Sequence, residues 1–185
     1  ISGDRSGGTI LFPSNPLTVY RTLTLSATNR TWDFTTNSST IIFDGGNVSQ
    51  TIPGGVTYYN IHTERGGVKV LGNNISVQNN LRIGAITSLN AASYEINLLK
   101  SGSPIQLLGT FIPSTSTVNY SGTASTTITA MSYYNLNINP LGTNPIRVLP
   151  NIGTVAIKNI FVVGSQTSVL NGNKVKFNGE SGTQN

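Results

Sequence analysis

Six carboxylates, Asp4, Asp33, Asp44, Glu64, Glu95 and Glu180, and one histidine, His62, are the residues with which this chain could carry out acid–base chemistry. Cleavage of a glycan by general acid and base, or with the help of a bound cation, needs at least two carboxylates brought together. The closest two in sequence, Asp33 and Asp44, are 11 residues apart, so only a fold that stacks distant segments can pair them. Asp44 and Glu64, 20 residues apart, are the pair such stacking would make neighbours. Counting in alternation from Tyr59 and Ile61, His62 points outward beside Asn60, and nothing around it in sequence supplies a triad or a metal shell. The chain has no cysteine, which removes thiolate metal sites as well as disulfides. The expectation is therefore no catalytic residue, no metal and no cofactor.

Binding offers sharper candidates. Tyr58 and Tyr133 each open a Tyr-Tyr-Asn triplet that closes on Asn60 or Asn135. Alternation places the second tyrosine, Tyr59 or Tyr134, with Ile61 or Leu136 on the core side and leaves the first facing solvent. An exposed ring beside an amide is a sugar-stacking arrangement, because the ring offers an apolar face and the amide directs hydrogen bonds. Tyr58, Asn60, Tyr133 and Asn135 are thus the candidate glycan site, against the plainer reading that the rings cover a sheet as cross-strand neighbours. Threonine pairs such as Thr22/Thr24 and Thr126/Thr127 raise ice binding, but Ile42, Asn119 and Tyr58 interrupt the flat threonine face that activity requires.

The net charge of +5 reflects few acids as much as many bases, and Lys174/Lys176 is the one close basic pair. A nucleic-acid footprint wants a basic stripe interleaved with stacking aromatics, so nucleic acid is not an expected partner. No apolar run approaches the roughly 18 residues a membrane helix needs, so membrane insertion is not expected. With only 9% charged residues, solubility rests on Ser, Thr, Asn, Gln and Gly, a surface common outside cells. The start at Ile1 suits a chain whose leader has been removed, or a piece of something longer.

The elements that must position these residues are strands. Apolar residues alternate in short runs, Gly, Asn and Pro punctuate them, and no window sustains helical periodicity. Leu17/Val19 with Leu23/Leu25, Ile75/Val77 with Leu81/Ile83, and Val155/Ile157 with Ile160/Val162 each read as strand, corner, strand. The corner keeps Arg21 and Asn79 from pointing inward, and asparagine suits it because it tolerates left-handed backbone.

The chain is also a repeat. Ser39-Thr40-Ile41-Ile42-Phe43-Asp44-Gly45 returns as Ser116-Thr117-Val118-Asn119-Tyr120-Ser121-Gly122, Thr51-Ile52 as Thr127-Ile128, and Tyr58-Tyr59-Asn60-Ile61 as Tyr133-Tyr134-Asn135-Leu136. The three blocks keep their order and very nearly the same offset, which a chance match of common residue types would rarely do. Inside a unit, the inward pairs Val118/Tyr120, Leu136/Ile138, Val155/Ile157 and Val175/Phe177 step by 18, 19 and 20 residues. That is the length of one coil of a β-solenoid, a parallel β-helix whose turns bury each other's apolar rows. Division of the chain by this step predicts nine or ten turns. The alternative is a tandem of β-sandwiches, which lacks a reason for the coil-length step. The expected layout is a flexible segment over 1–9, one solenoid domain over 10–178, and a flexible segment over 179–185.

The phrase Ser-Thr-Val-x-Tyr/Phe-x-Gly, a Thr-Ile, then Tyr-Tyr-Asn-Leu-x-Ile, over roughly Thr31 to Gly179, resembles the repeats of large secreted, adhesin-like surface proteins of Bacteroidota, exported by the type IX secretion system. Asn139-Pro140-Leu141-Gly142 departs from that pattern, with proline where a plain polar turn is usual. The resemblance implies an extracellular or cell-surface module, structural or adhesive and not an enzyme. The open ends of such a coil are unpaired strand edges, so the expected partners are the chain itself or neighbouring repeats in a fibre or filament, with glycans at the tyrosines as the alternative ligand and a glycan-cleaving β-helix enzyme or an ice-binding protein as more distant readings.

Overall fold

The structure, a computed structural model, describes residues 8–26, 30–138, 146–164, 168–170 and 174–179. Among them are nineteen strands and no helix. Every pairing is parallel, and partners lie on successive turns: Ile41 meets Ile61, which meets Leu81, which meets Ile105. The fold is a β-solenoid of about seven turns.

Each turn visits three walls. Wall A takes β1 (Thr9–Leu11), β3 (Thr31–Asp33), the first halves of β6 (Val56–Thr63) and β8 (Ile75–Ile83), then β10 (Glu95–Leu98), β13 (Thr117–Tyr120) and the second halves of β15 (Ser132–Ile138) and β17 (Val155–Val163). Wall B takes β2 (Leu17–Val19), β4 (Thr40–Phe43), the second halves of β6 and β8, and β11 (Ile105–Leu107). A single bridge, Gly102 to Thr126, leads on to β14 (Thr126–Thr127), β16 (Ile146–Val148) and β18 (Ser168–Leu170). Wall C takes β5 (Gln50–Ile52), β7 (Val68–Leu71), β9 (Ser88–Asn90) and β12 (Thr110–Ile112), and resumes in the first halves of β15 and β17 and in β19 (Val175–Phe177).

One apolar cluster fills the interior from Phe12 to Ile157. It is built from columns, because strand alternation sends every second side chain inward and the parallel register stacks like positions. On wall A the columns are Val56, Ile75, Ile96, Val118, Leu136, Phe161, and Tyr58, Val77, Leu98, Tyr120, Ile138, Val163. The second column extends through Phe34 to Phe12, by a tilted ring contact at 4.6 Å between Tyr58 and Phe34 and ring stacking at 4.1 Å between Phe34 and Phe12. Each fully buried aliphatic or aromatic side chain in such a column contributes about 1.5–3 kcal/mol.

The repeat and the coil do not share a period. From β4 to its sequence counterpart β13 the chain takes eleven wall-to-wall steps, which is three and two-thirds turns. Each strand of the second unit therefore lies one wall behind its counterpart: β4 is on wall B and β13 on wall A, β7 on wall C and β16 on wall B.

Several expectations from the sequence need correction. Partners on successive turns are 18 residues apart at Thr117 and Asn135 but 25 residues apart at Asn135 and Ile160, so there are fewer turns than nine or ten. The step from Leu136 to Val155 joins different walls and is not a coil step. Leu23 and Leu25 pack against the core without forming a strand. After Val155 and Ile157 the inward row resumes at Phe161; Ile160 and Val162 are 51% and 41% exposed, because the corner at 158–160 is three residues long, like that at 78–80. Thr9, placed in the flexible start, pairs with Thr31 in β1. The remaining expectations on 1–7, 180–185 and Asn139-Pro140-Leu141-Gly142 fall outside the described residues.

Candidate functional site

The four candidate glycan residues sit where β6 and β15 turn from one wall to the next. Tyr58 and Tyr133, expected on the outside, are buried at 0% and 1% exposure. The reason is the corner itself. Tyr59-Asn60 and Tyr134-Asn135 both point out of the coil, so the inward phase runs Tyr58, Ile61, Thr63 and Tyr133, Leu136, Ile138. Opposite each corner the next strand carries one more residue, which the register shows as a slip: Tyr58 meets Val77 but Asn60 meets Asn80, and Tyr133 meets Ile157 but Asn135 meets Ile160.

Each buried ring closes its own approach loop. The Tyr58 hydroxyl donates to the Pro53 carbonyl at 2.7 Å, and the Tyr133 hydroxyl donates to the Thr129 carbonyl at 2.7 Å. Tyr120 adds a hydroxyl 2.9 Å from that of Tyr133 and accepts from the Thr129 N–H at 3.0 Å. Burial raises the pKa of all three phenols, most plainly at Tyr133, where Tyr120 adds to it. They are neutral, tethered groups with no access to a ligand.

Asn60 and Asn135 are half-buried rungs of two matching corner ladders. Asn60 Nδ2 donates to Thr40 Oγ1 at 2.9 Å and Asn60 Oδ1 accepts from Asn79 Nδ2 at 2.8 Å. In the second unit Asn135 Nδ2 donates to Thr117 Oγ1 at 3.1 Å and Asn135 Oδ1 accepts from Asn159 Nδ2 at 2.8 Å. Both amides thus spend donor and acceptor on the turns above and below, and the rings that face outward are Tyr59 and Tyr134, both half-buried.

Stacking does make Asp44 and Glu64 successors on one edge, since Phe43 pairs with Thr63 immediately before them. Each has an arginine beside it. Asp44 Oδ2 lies 3.4 Å from Arg65 Nε, and Glu64 pairs with Arg82. Asp33 is consumed locally: Oδ1 accepts from the Thr35 N–H at 2.7 Å and the Thr36 N–H at 3.0 Å, and Oδ2 from the Thr36 hydroxyl. Those bonds, led by Thr36, hold its carboxyl well below the usual carboxylate range. His62 lies between Ile42 and Arg82 on the outer row of wall B; burial and the neighbouring guanidinium lower its pKa. Among the described residues no three His, Asp or Glu side chains gather as a metal shell, and no helix is long and apolar enough to cross a membrane.

The chemically loaded residues the sequence reading passed over are Gln50, Lys69 and Arg147, all buried. Each points inward and binds main-chain carbonyls near a turn. Gln50 Nε2 donates to Val19 O at 2.8 Å and Arg21 O at 3.0 Å. Lys69 Nζ donates to Gly66 O at 2.9 Å and more weakly to Gly46 O. Arg147 donates to Gly122 O at 2.8 Å, to Tyr120 O and Ala124 O at 3.0 Å, and to Thr126 Oγ1 at 3.1 Å. Lys69 and Arg147 are counterparts, each at the same place in its copy of the repeat. Desolvation lowers the pKa of Lys69, partly offset by Asp44. The signal was present in Val68-Lys69-Val70 and Ile146-Arg147-Val148, where a lone cation interrupts an apolar strand at matching positions. What this arrangement does is hold turns together. Compared with known proteins, the chain matches no family model, no curated protein and no solved structure.

Proposed function

We propose that this chain is a non-catalytic structural or adhesive module of the bacterial cell exterior, built to join end to end with copies of itself or with like repeats. The observation that carries the proposal is the contrast between the flanks and the C-terminal end of the coil. The flanks carry hydroxyl and amide ladders, with Asp44 and Glu64 beside arginines and Asp33 bonded into its own turn. The last turn leaves Val162, Val163 and Phe177 exposed at 41%, 44% and 45%, with the rings of Phe161 and Phe177 6.0 Å apart. An open strand edge above an apolar interior favours stacking of a further β-layer. Light scattering and electron microscopy across a concentration series test it: rod-like particles that lengthen with concentration are expected. A strictly monomeric particle at millimolar concentration would refute self-assembly.

Glycan binding is favoured by a different place from the tyrosines. A cleft of about 580 Å³ opens between β3 and the first half of β6, lined by Trp32, Thr31, Thr35, Gly55 and Thr57. The indole Nε1 of Trp32 has no hydrogen-bond partner. Because Trp32 is the sole tryptophan, its fluorescence reports binding directly. Emission unmoved by a panel of bacterial and host oligosaccharides rules the cleft out.

A further inference from the structure

The outer row of wall A runs Leu11, Asp33, Thr57, Ser76, Asn97, Asn119, Asn137, Val162. Backbone register links Leu11 to Asp33 and every neighbour from Thr57 to Val162, and the tilted ring contact of Phe34 with Tyr58, the residues that follow Asp33 and Thr57, brings those two into line. Six polar residues occupy the middle of the row, and Asn119 Nδ2 donates to Asn97 Oδ1 at 2.6 Å within it. The aliphatic members are the first and the last, Leu11 at 55% exposure and Val162 at 41%. A solvated row has no use for either, yet they become direct neighbours if one copy continues where the other stops.

Two further observations agree. Among the described strands, β1 and β2 occupy walls A and B in the first turn, and the second half of β17 and β18 occupy the same walls in the last. A second copy can therefore continue the coil without a rotational mismatch. The inner columns also continue: Ile10 and Phe12 head those that end at Phe161 and Val163. Among the described residues the outer backbone edges of β1 and of Phe161–Val163 have no strand partner.

From this we infer that two copies of this chain join head to tail in one register, β1 of one copy stacking in parallel on residues 161–163 of the other, with Leu11 opposite Val162, Ile10 opposite Phe161 and Phe12 opposite Val163. The inference rests on the end-to-end assembly proposed above and specifies its interface. The contact is heterologous and does not close, so it propagates as a filament.

The chain has no cysteine, so engineered ones report the register without background. Neighbouring parallel strands lie about 4.8 Å apart, within disulfide reach. The Leu11→Cys/Val162→Cys protein, oxidised under assembly conditions, is expected to give a ladder of linked multimers at roughly tenfold the yield of Thr18→Cys/Val162→Cys, whose thiols lie on different walls. Val162→Lys is expected to raise the assembly concentration by about tenfold or more, through lost apolar burial, with an unchanged melting temperature for the single molecule. Wild-type assembly with equal yields from the two cysteine pairs, or with no effect of Val162→Lys, overturns the register and leaves the assembly standing. A wild-type protein that never assembles overturns both.

Discussion

Replacing Arg147 with leucine tests whether the buried cations hold the turns together. The guanidinium satisfies three main-chain carbonyls, Tyr120, Gly122 and Ala124, and the Thr126 hydroxyl, inside a fully buried site. Gly122 is pressed against the turn below: a Cβ there would sit 2.6 Å from the Lys100 carbonyl oxygen, so the loop cannot easily swing out to find water. Stranding the Tyr120 and Gly122 carbonyls, both on buried residues, costs about 1–3 kcal/mol each, roughly 2–6 kcal/mol together, whereas the Ala124 carbonyl, on an exposed residue, keeps the Thr126 hydroxyl as a donor. Sparing the guanidinium its desolvation returns a few kcal/mol, more so because its Nε is unpaired in the native state. The net loss expected for Arg147→Leu is about 2–3 kcal/mol, or a melting temperature lower by about 5–10 °C for a chain of this size. Arg147→Lys should lose less than half of that, because Lys69 meets the same need at the matching position. Chemical denaturation gives the free energies, and hydrogen exchange should localise the loss to residues 120–127. An Arg147→Leu protein as stable as the wild type, with those amides still protected, would refute the reasoning.

Tyr58→Phe should cost about 1 kcal/mol through the unpaired Pro53 carbonyl, whereas Tyr59→Ser should stay within about 0.5 kcal/mol; denaturation midpoints in the opposite order would return the rings to their sequence-predicted sides. The depressed carboxyl of Asp33 contributes stability that is present above the ordinary carboxylate range and fades as pH falls below about 4. The protection factors of the Thr35 and Thr36 amides, taken relative to intrinsic exchange at each pH, should therefore fall on acidification, and Asp33→Ala should abolish the dependence. His62, a base whose pKa is lowered in the fold, binds fewer protons than in the unfolded chain, so stability declines as pH drops from about 6.5. Arg82→Gln should raise the His62 pKa in an NMR titration, and a value that stays put would remove Arg82 as a cause.

The solenoid was legible because two independent rhythms agree: inward pairs recur at coil length from Val118/Tyr120 to Leu136/Ile138 and from Val155/Ile157 to Val175/Phe177, and the whole phrase opened by Ser39 opens again at Ser116. The corners were legible only where an error would be costly. At Arg21 and Asn79 an unbroken strand would bury a charge or an amide, and that penalty betrays the bend. At Tyr58-Tyr59-Asn60 either tyrosine fits either side, so alternation counted straight through the corner and exchanged the two rings. The same blindness put Ile160 in place of Phe161, since both are acceptable in a core. Arg147 and Lys69 escaped notice because lone cations in strands read as solvated, and carbonyl ligands contributed by another turn leave no mark in sequence.

The mismatch between the repeated phrase and a three-sided coil governs how a longer array would present itself. Any patch written once per unit would face a new direction in each successive unit, retreating by a third of a revolution, and would return to its starting bearing after three units and eleven coils. Such a rod exposes no continuous stripe of identical patches along which parallel rods could zip side by side, while a neighbour in any direction meets every third copy. Winding its motifs like the treads of a spiral stair, such an array would turn successive copies of one motif to different sides.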